Sequence, residues 1–173
     1  MLERWRESHL AVRISSVCFA VWMSIVLLIQ VMNSMTAAQV FPVSCENGSI
    51  NCVRIASDGT SHRNEDLQPL RFNATADEVV RVVEDWFSDR AFASVLSVEG
   101  DGPVVVHGVD HTEFWFFADD VFVSVQCISG QADVVLHSQS RLGVGDMGEN
   151  LKRMEVLHTH LSGVEWSGES CEE

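Results

Sequence analysis

Apolar residues fall in two regimes along the chain: one uninterrupted run near the N-terminus, and a later stretch where they recur with regular periods. Ile14 to Met32 is uncharged and rich in Val, Ile, Leu, Phe, Trp and Met, broken by Ser15, Ser16, Ser24 and Gln30. As a helix this run is roughly 28 Å long at about 1.5 Å per residue, close to the hydrocarbon thickness of a bilayer. Residues 33–72 hold no sustained period and read as a linker and cysteine loop. Thr75-Ala76-Asp77-Glu78 is a capping box. Behind it Ala76, Val79, Val80, Val83, Trp86 and Phe87 recur at helical spacing, which predicts a helix ending near Ser88–Arg90.

Period-two and β-branched runs follow at Phe92–Val98, Val104–Val109, Glu113–Ala118, Val121–Ile128 and Asp133–Ser140. Turn signals separate them at Gly100-Asp101-Gly102, Asp119-Asp120 and Ser129-Gly130. Val121, Val123, Val125 and Cys127 share one face, and the short connections predict antiparallel neighbours. A second helix is predicted from Met147 to Leu161, with Met147, Leu151, Met154, His158 and Leu161 on one side. The fold class is therefore α+β, a four- or five-stranded antiparallel meander flanked by two helices packed on one face. The chain divides into a cytoplasmic N-terminus (1–13), a transmembrane anchor (14–32), the linker and cysteine loop (33–72), the α+β domain (73–162) and a loose, polar, acidic tail (163–173).

Charge sets the topology. Arginines flank the apolar run only on its N-terminal side, and no Lys or Arg lies between Ser34 and Val53. The positive-inside rule then places the N-terminus in the cytoplasm and the domain outside. The rival reading is a cleaved signal peptide with its site at Thr36-Ala37-Ala38, which would leave a secreted protein. The run is longer than the usual signal core, which favours an anchor. Cys18 lies within it as ordinary packing.

The net charge is −14, and beyond residue 39 there are 8 basic against 23 acidic residues, a net of −15. Such a surface repels phosphate backbones and excludes nucleic acid as a partner. Lys152 is the only lysine; this imbalance matches either salt adaptation or a plainly acidic exported protein. Of four exported cysteines, Cys45 and Cys52 bracket a short Asn-Gly-Ser turn and are the candidate disulfide, while the pairing of Cys127 and Cys171 stays open. Their spacing does not match a zinc site. Asn47-Gly48-Ser49 and Asn73-Ala74-Thr75 are N-glycosylation acceptors by pattern.

The densest motif is Ser138-x-Ser140-Arg141-x-Gly143-x-x-Asp146-x-Gly148-x-Asn150-x-x-Arg153. With Asp119-Asp120-Val121 after an aromatic run and an early Asn51-Cys52-Val53, it resembles the uncharacterised family catalogued as domain of unknown function 1499, over about Cys45 to Leu161. Glu46 and Ile50 depart from that family's proline-containing cysteine loop. The resemblance implies an exported or membrane-associated domain and supplies no activity.

Asp146 followed by Glu149 reads as an N-cap with a carboxylate three positions on, so the motif is a strand-to-helix corner. One reading makes it an anion pocket, with free helix N–H groups and a guanidinium from Arg141 or Arg153. The other has Arg141 and Arg153 pair with Asp119, Asp120 or Asp146 and lock the corner. Asn150 suits either. A hydrolase on Ser138 or Ser140 meets the obstacle that His137 points to the opposite face of a strand from Ser138. Asp119-Asp120 reads as a solvated turn. His158 and His160 cannot share a metal, whereas His107 and His111 straddle a predicted hairpin turn and could converge. Phe114-Trp115-Phe116-Phe117 should alternate across the sheet. The leading expectation is a membrane-anchored, non-enzymatic ligand-binding or interaction module without cofactor or metal. Its candidate site is Asp119, Asp120, Ser138, Ser140, Arg141, Asp146, Asn150 and Arg153, and its partner is a small ligand or a protein. A hydrolase and a structural subunit of a membrane complex are the alternatives.

Overall fold

The apolar run forms a single helix, α1 (Leu2–Met35), in a computed structural model that describes residues 2–38 and 40–172. Within it Leu10–Met35 is long and apolar enough to cross a membrane, a few residues longer at each end than the uncharged run itself. Apolar side chains along it, such as Val17, Phe19, Val21, Leu27 and Leu28, are exposed, whereas Ile29 and Asn33 are buried against the domain.

The domain orders its elements as β1 (Cys52–Ile55), β2 (Leu70–Phe72), α2 (Ala76–Ser88), β3 (Ala93–Glu99), β4 (Val104–His111), β5 (Ala118–Ile128), β6 (Gln131–Ser140) and α3 (Glu149–Ser162). One antiparallel sheet runs β1-β6-β5-β4-β3, and β2 pairs with β6 beside β1. Both α2 and α3 lie on one face. Val53 and Ile55, Val106, Val121 to Val125 on alternate positions, Val134 and Leu136 meet Val79, Val83 and Phe87 of α2 and Met154, Leu157 and Leu161 of α3 in one core. Each such fully buried side chain contributes roughly 1.5–3 kcal/mol. Thr75 caps α2 by accepting the Glu78 N–H, while the Glu78 carboxylate, which a full capping box would turn back to Thr75, accepts the N–H and hydroxyl of Ser167. Gly108 on β4 has no room for a side chain, because a Cβ there would collide with the Phe87 ring.

The α+β class and the meander of β3 to β6 match the sequence expectation, and five local readings change. First, residues 33–72 are more than a linker, since β1 and β2 lie there and extend the sheet past β6. Second, Glu113–Ala118 is not a strand. Residues 112–117 form a turn in which Thr112 N–H donates to Phe117 O and Phe116 N–H to Thr112 O. Phe116 sits at φ 58°, so the aromatic run does not alternate across the sheet. Third, Asp119-Asp120 is not a solvated turn; both acids lie in β5 and are buried. His107 and His111 consequently share one strand instead of straddling a hairpin.

Fourth, α3 begins at Glu149 after Gly148 in the left-handed region, and Met147 is fully exposed. The buried side is Asn150, Arg153, Met154, Leu157 and Leu161, while His158 donates to Gln68 O. Fifth, the tail is fastened. Trp166 packs on Phe72 at 4.5 Å, Gly168 N–H donates to Asn73 O, and Cys171 is bonded to Cys127. Cys45 and Cys52 are joined in a second disulfide.

Candidate functional site

Strand geometry sends neighbouring side chains to opposite faces, and this splits Asp119 from Asp120. Asp119 is in register with Asp110 and Ser140 and points toward the helices; Asp120 is on the other face with His107 and His137. Each acid takes a different arginine.

On the helix face Arg153, whose side chain is 6 % exposed, donates through Nε to Asp110 Oδ2 at 2.8 Å and through Nη2 to Asp119 Oδ2 at 2.7 Å. Its Nη1 donates to Asn150 Oδ1 and Ser138 Oγ. Ser138 Oγ in turn donates to Asn150 Oδ1 at 2.5 Å, and Asn150 Nδ2 donates to Ser140 Oγ and Asn51 O. Burial alone would lower the Arg153 pKa, but Asp119 and Asp110 outweigh it and hold the guanidinium above its ordinary value. Burial likewise pushes Asp110 up, and Arg153 and Arg90 bring it below the usual carboxylate range.

On the opposite face Arg141 grips Asp120 with two bonds, Nη2 to Oδ1 at 2.6 Å and Nε to Oδ2 at 3.0 Å. His107 Nε2 lies 2.7 Å from the same Oδ1, and Ala38 N–H donates to Oδ2. Burial raises the Asp120 pKa, and the bonds from His107, Arg141 and Ala38 more than offset it, leaving the carboxyl acidic. Arg141 Nη1 also reaches Asn33 O at the end of α1. The signature thus ties the helix that precedes the domain to the domain itself.

Asp146 does not cap α3 as a simple N-cap, because Gly148 holds that position. Its carboxylate instead accepts the N–H groups of Gly148 and Asn150 and lies 3.6 Å from Arg63 Nη1. Burial raises its pKa and these donors outweigh the effect. The eight residues proposed from the sequence therefore converge on one corner, in two networks, with their charges paired within the protein. Asp146 already occupies N–H groups at the helix start that an incoming anion would use, those of Gly148 and Asn150 with its carboxylate and that of Glu149 with its carbonyl.

His137 lies on the face away from Ser138, as strand periodicity required. It is buried against Phe122 and Phe41, 3.6 Å from Cys52 Sγ and 3.0 Å from Gln139 Oε1. Cys45, Cys52 and His137 place ligand-type atoms within 4.8 Å of one another. The two sulfurs are joined to each other and so offer no thiolate. Burial above all, with the Arg54 charge, pushes the imidazole pKa down to about 4 against the Gln139 bond and Asp120. The unfolded chain then binds a proton that the folded one refuses between about pH 6.5 and 4, so stability is full above pH 6.5 and falls with pH across that window. The expected loss is about 3 kcal/mol by pH 4. His137→Leu should flatten that part of the profile in thermal unfolding curves recorded at stepped pH; an unchanged slope would show that the imidazole protonates freely in the folded protein.

Next to the Arg153 network lies a groove of about 720 Å³ between the end of α2, the end of β4 and α3. Its walls carry Arg90, Asp110, Glu149, Lys152 and Arg153 beside the apolar Phe92, Phe114 and Val156. Arg90 stacks over Trp86 at 4.6 Å and pairs with Asp110 at 2.5 Å. Neither Arg90 nor Asp110 stands out in the sequence, since one follows the end of α2 and the other lies next to the end of β4. Both sequon asparagines, Asn47 and Asn73, are exposed.

Residues 43–161 match the family described as Protein of unknown function (DUF1499). The chain belongs to this family. The match covers the whole sheet, α2, α3 up to its last residue and the corner motif, so the Arg153 network and the Arg141–Asp120 pair lie within it, while Asn33 and Ala38, which join that pair, precede it. Comparison with curated proteins and with solved structures gives no match.

Proposed function

We propose that this DUF1499 chain is a single-pass membrane protein whose α+β domain faces the exterior or an equivalent lumen and works as a binding module. The groove beside Arg90 is its ligand site, and the Ser138–Arg153 corner is the frame that holds the site. The groove is the observation that carries the reading: it is open, it is large enough for a small molecule, and it borders polar and apolar walls. Arg90, Lys152 and Arg153 face Asp89, Asp110, Glu113 and Glu149 there. That near balance suits a neutral or zwitterionic polar group with an apolar portion better than a polyanion.

The arginines at the N-terminal end of α1, ahead of its apolar run, support a cytoplasmic N-terminus. The two disulfides fit an oxidising compartment. A hydrolase reading draws little support, because Ser138 Oγ faces Asn150 and Arg153, with the His137 ring on the other side of the sheet.

Native mass spectrometry of the full chain extracted from its own membranes tests the proposal. The expected result is a retained small-molecule mass that is lost from Val156→Asp, a change at an exposed groove position. A bare chain in both proteins, or an adduct that Val156→Asp keeps, would remove the groove from consideration.

A further inference from the structure

The turn at residues 112–117 does not sit beside the sheet alone; it descends along α1. Phe116 O accepts Gln30 Nε2 and Asn33 Nδ2, both at 2.9 Å, and Ala118 N–H donates to Asn33 Oδ1. Further along the turn, the Phe114 ring contacts the Trp22 ring at 5.8 Å. At about 1.5 Å per residue, Trp22 lies roughly 12 Å along the helix axis from Gln30, toward the N-terminus. Phe114 therefore reaches well into the level of the apolar run. Phe114, Trp115 and Phe117 are 59, 38 and 37 % exposed, alongside a helix whose own apolar side chains are exposed.

Resting on the reading of α1 as a membrane span, we infer that the turn Thr112–Phe117 is a second membrane contact, with Phe114, Trp115 and Phe117 inserted in the lipid of the leaflet next to the domain. A bilayer is the occupant because the exposed rings continue the exposed apolar surface of α1 at the same depth. Irregular backbone tolerates lipid only where its polar groups are satisfied within the protein. The turn meets that demand at several points. Thr112 N–H bonds Phe117 O, Phe116 N–H bonds Thr112 O, and Phe117 N–H bonds Thr112 Oγ1. The Phe116 carbonyl, turned by its φ of 58°, takes the two amides that would otherwise leave Gln30 and Asn33 as unpaired polar groups in an apolar helix. The two segments thus satisfy each other. Glu113 lies on the groove side of the turn, so the groove of the proposed binding site opens next to the inserted rings. With α1 held by Asn33, Arg141 and Asp120 on one side and the turn on the other, the domain stands in a fixed orientation on the membrane.

Depth-dependent fluorescence quenching on the full chain in phosphatidylcholine vesicles tests this. Nitrobenzoxadiazole is attached to one cysteine at a time: the native Cys18, Phe114→Cys or Trp115→Cys, and Asp101→Cys in the β3–β4 hairpin at the far end of the sheet, the last three on a Cys18→Ser background. Insertion predicts blue-shifted emission, quenched by doxyl-labelled acyl chains, at residues 18, 114 and 115, with aqueous emission at 101. Quenching at 18 with aqueous emission at both 114 and 115 would overturn the insertion and leave the anchor standing. Aqueous emission at 18 would overturn the anchor and the insertion with it.

Discussion

Arg153→Met should destabilise the domain by about 3–5 kcal/mol, because it strips the counter-charge from two buried carboxylates. Asp110 and Asp119 are both buried, and Arg153 is the residue that bridges them. After the substitution Asp110 keeps Arg90, whereas Asp119 loses its ion pair and Ser138 and Asn150 lose a donor each. Arg153→Lys should recover only part of the loss, since one ammonium cannot replace three guanidinium nitrogens directed at four acceptors. Combining Arg153→Met with Asp110→Asn and Asp119→Asn should restore more than Lys does, because the buried charges then disappear together. Denaturant unfolding of the detergent-solubilised full chain, followed by near-ultraviolet circular dichroism, gives the midpoints. A single Arg153→Met variant that unfolds with the wild type would mean that the two carboxylates are hydrated and that the network does not lock the corner.

That network also shows where sequence reasoning reaches and where it stops. Local periodicity located α2, β3, β4 and β6 and the end of β5, since each buries one face or stripe and the pattern is written in neighbouring residues. The corner residues were legible as a group because Ser138, Ser140, Asn150 and Arg153 stand close together in the chain. Their roles were not. Asp119-Asp120 has the composition of a turn, and it remains in a buried strand only because Arg153 and Arg141, distant in sequence, neutralise one acid on each face. The aromatic run 114–117 has the composition of a strand, and it bends because Gln30 and Asn33 of α1 capture the Phe116 carbonyl. In α3 the helical period read from the apolar positions points to the side of Met147 and His158, while part of the buried stripe is polar: Asn150 and Arg153. In each case a long-range polar contact overrides a short-range signal of composition or period.

The tail carries the second large effect, for the same long-range reason. Its composition predicts a loose end, yet Cys171 N–H donates to Gly130 O and its sulfur is bonded to Cys127 across a separation of 44 residues. Closing a loop of that length removes chain entropy from the unfolded state worth about 4 kcal/mol, against roughly 2 kcal/mol for a loop as short as that of Cys45–Cys52. Cys127→Ser with Cys171→Ser should therefore lower stability about twice as much as Cys45→Ser with Cys52→Ser. The contacts of Trp166 with Phe72 and of Ser167 with Glu78 should loosen together with the bond. Urea unfolding midpoints of the two double variants give the order, and limited proteolysis reports whether the tail comes free. Equal or reversed losses would mean that the tail retains its place without the bond, so that Trp166 and Ser167, not the disulfide, fasten it over α2 and β2.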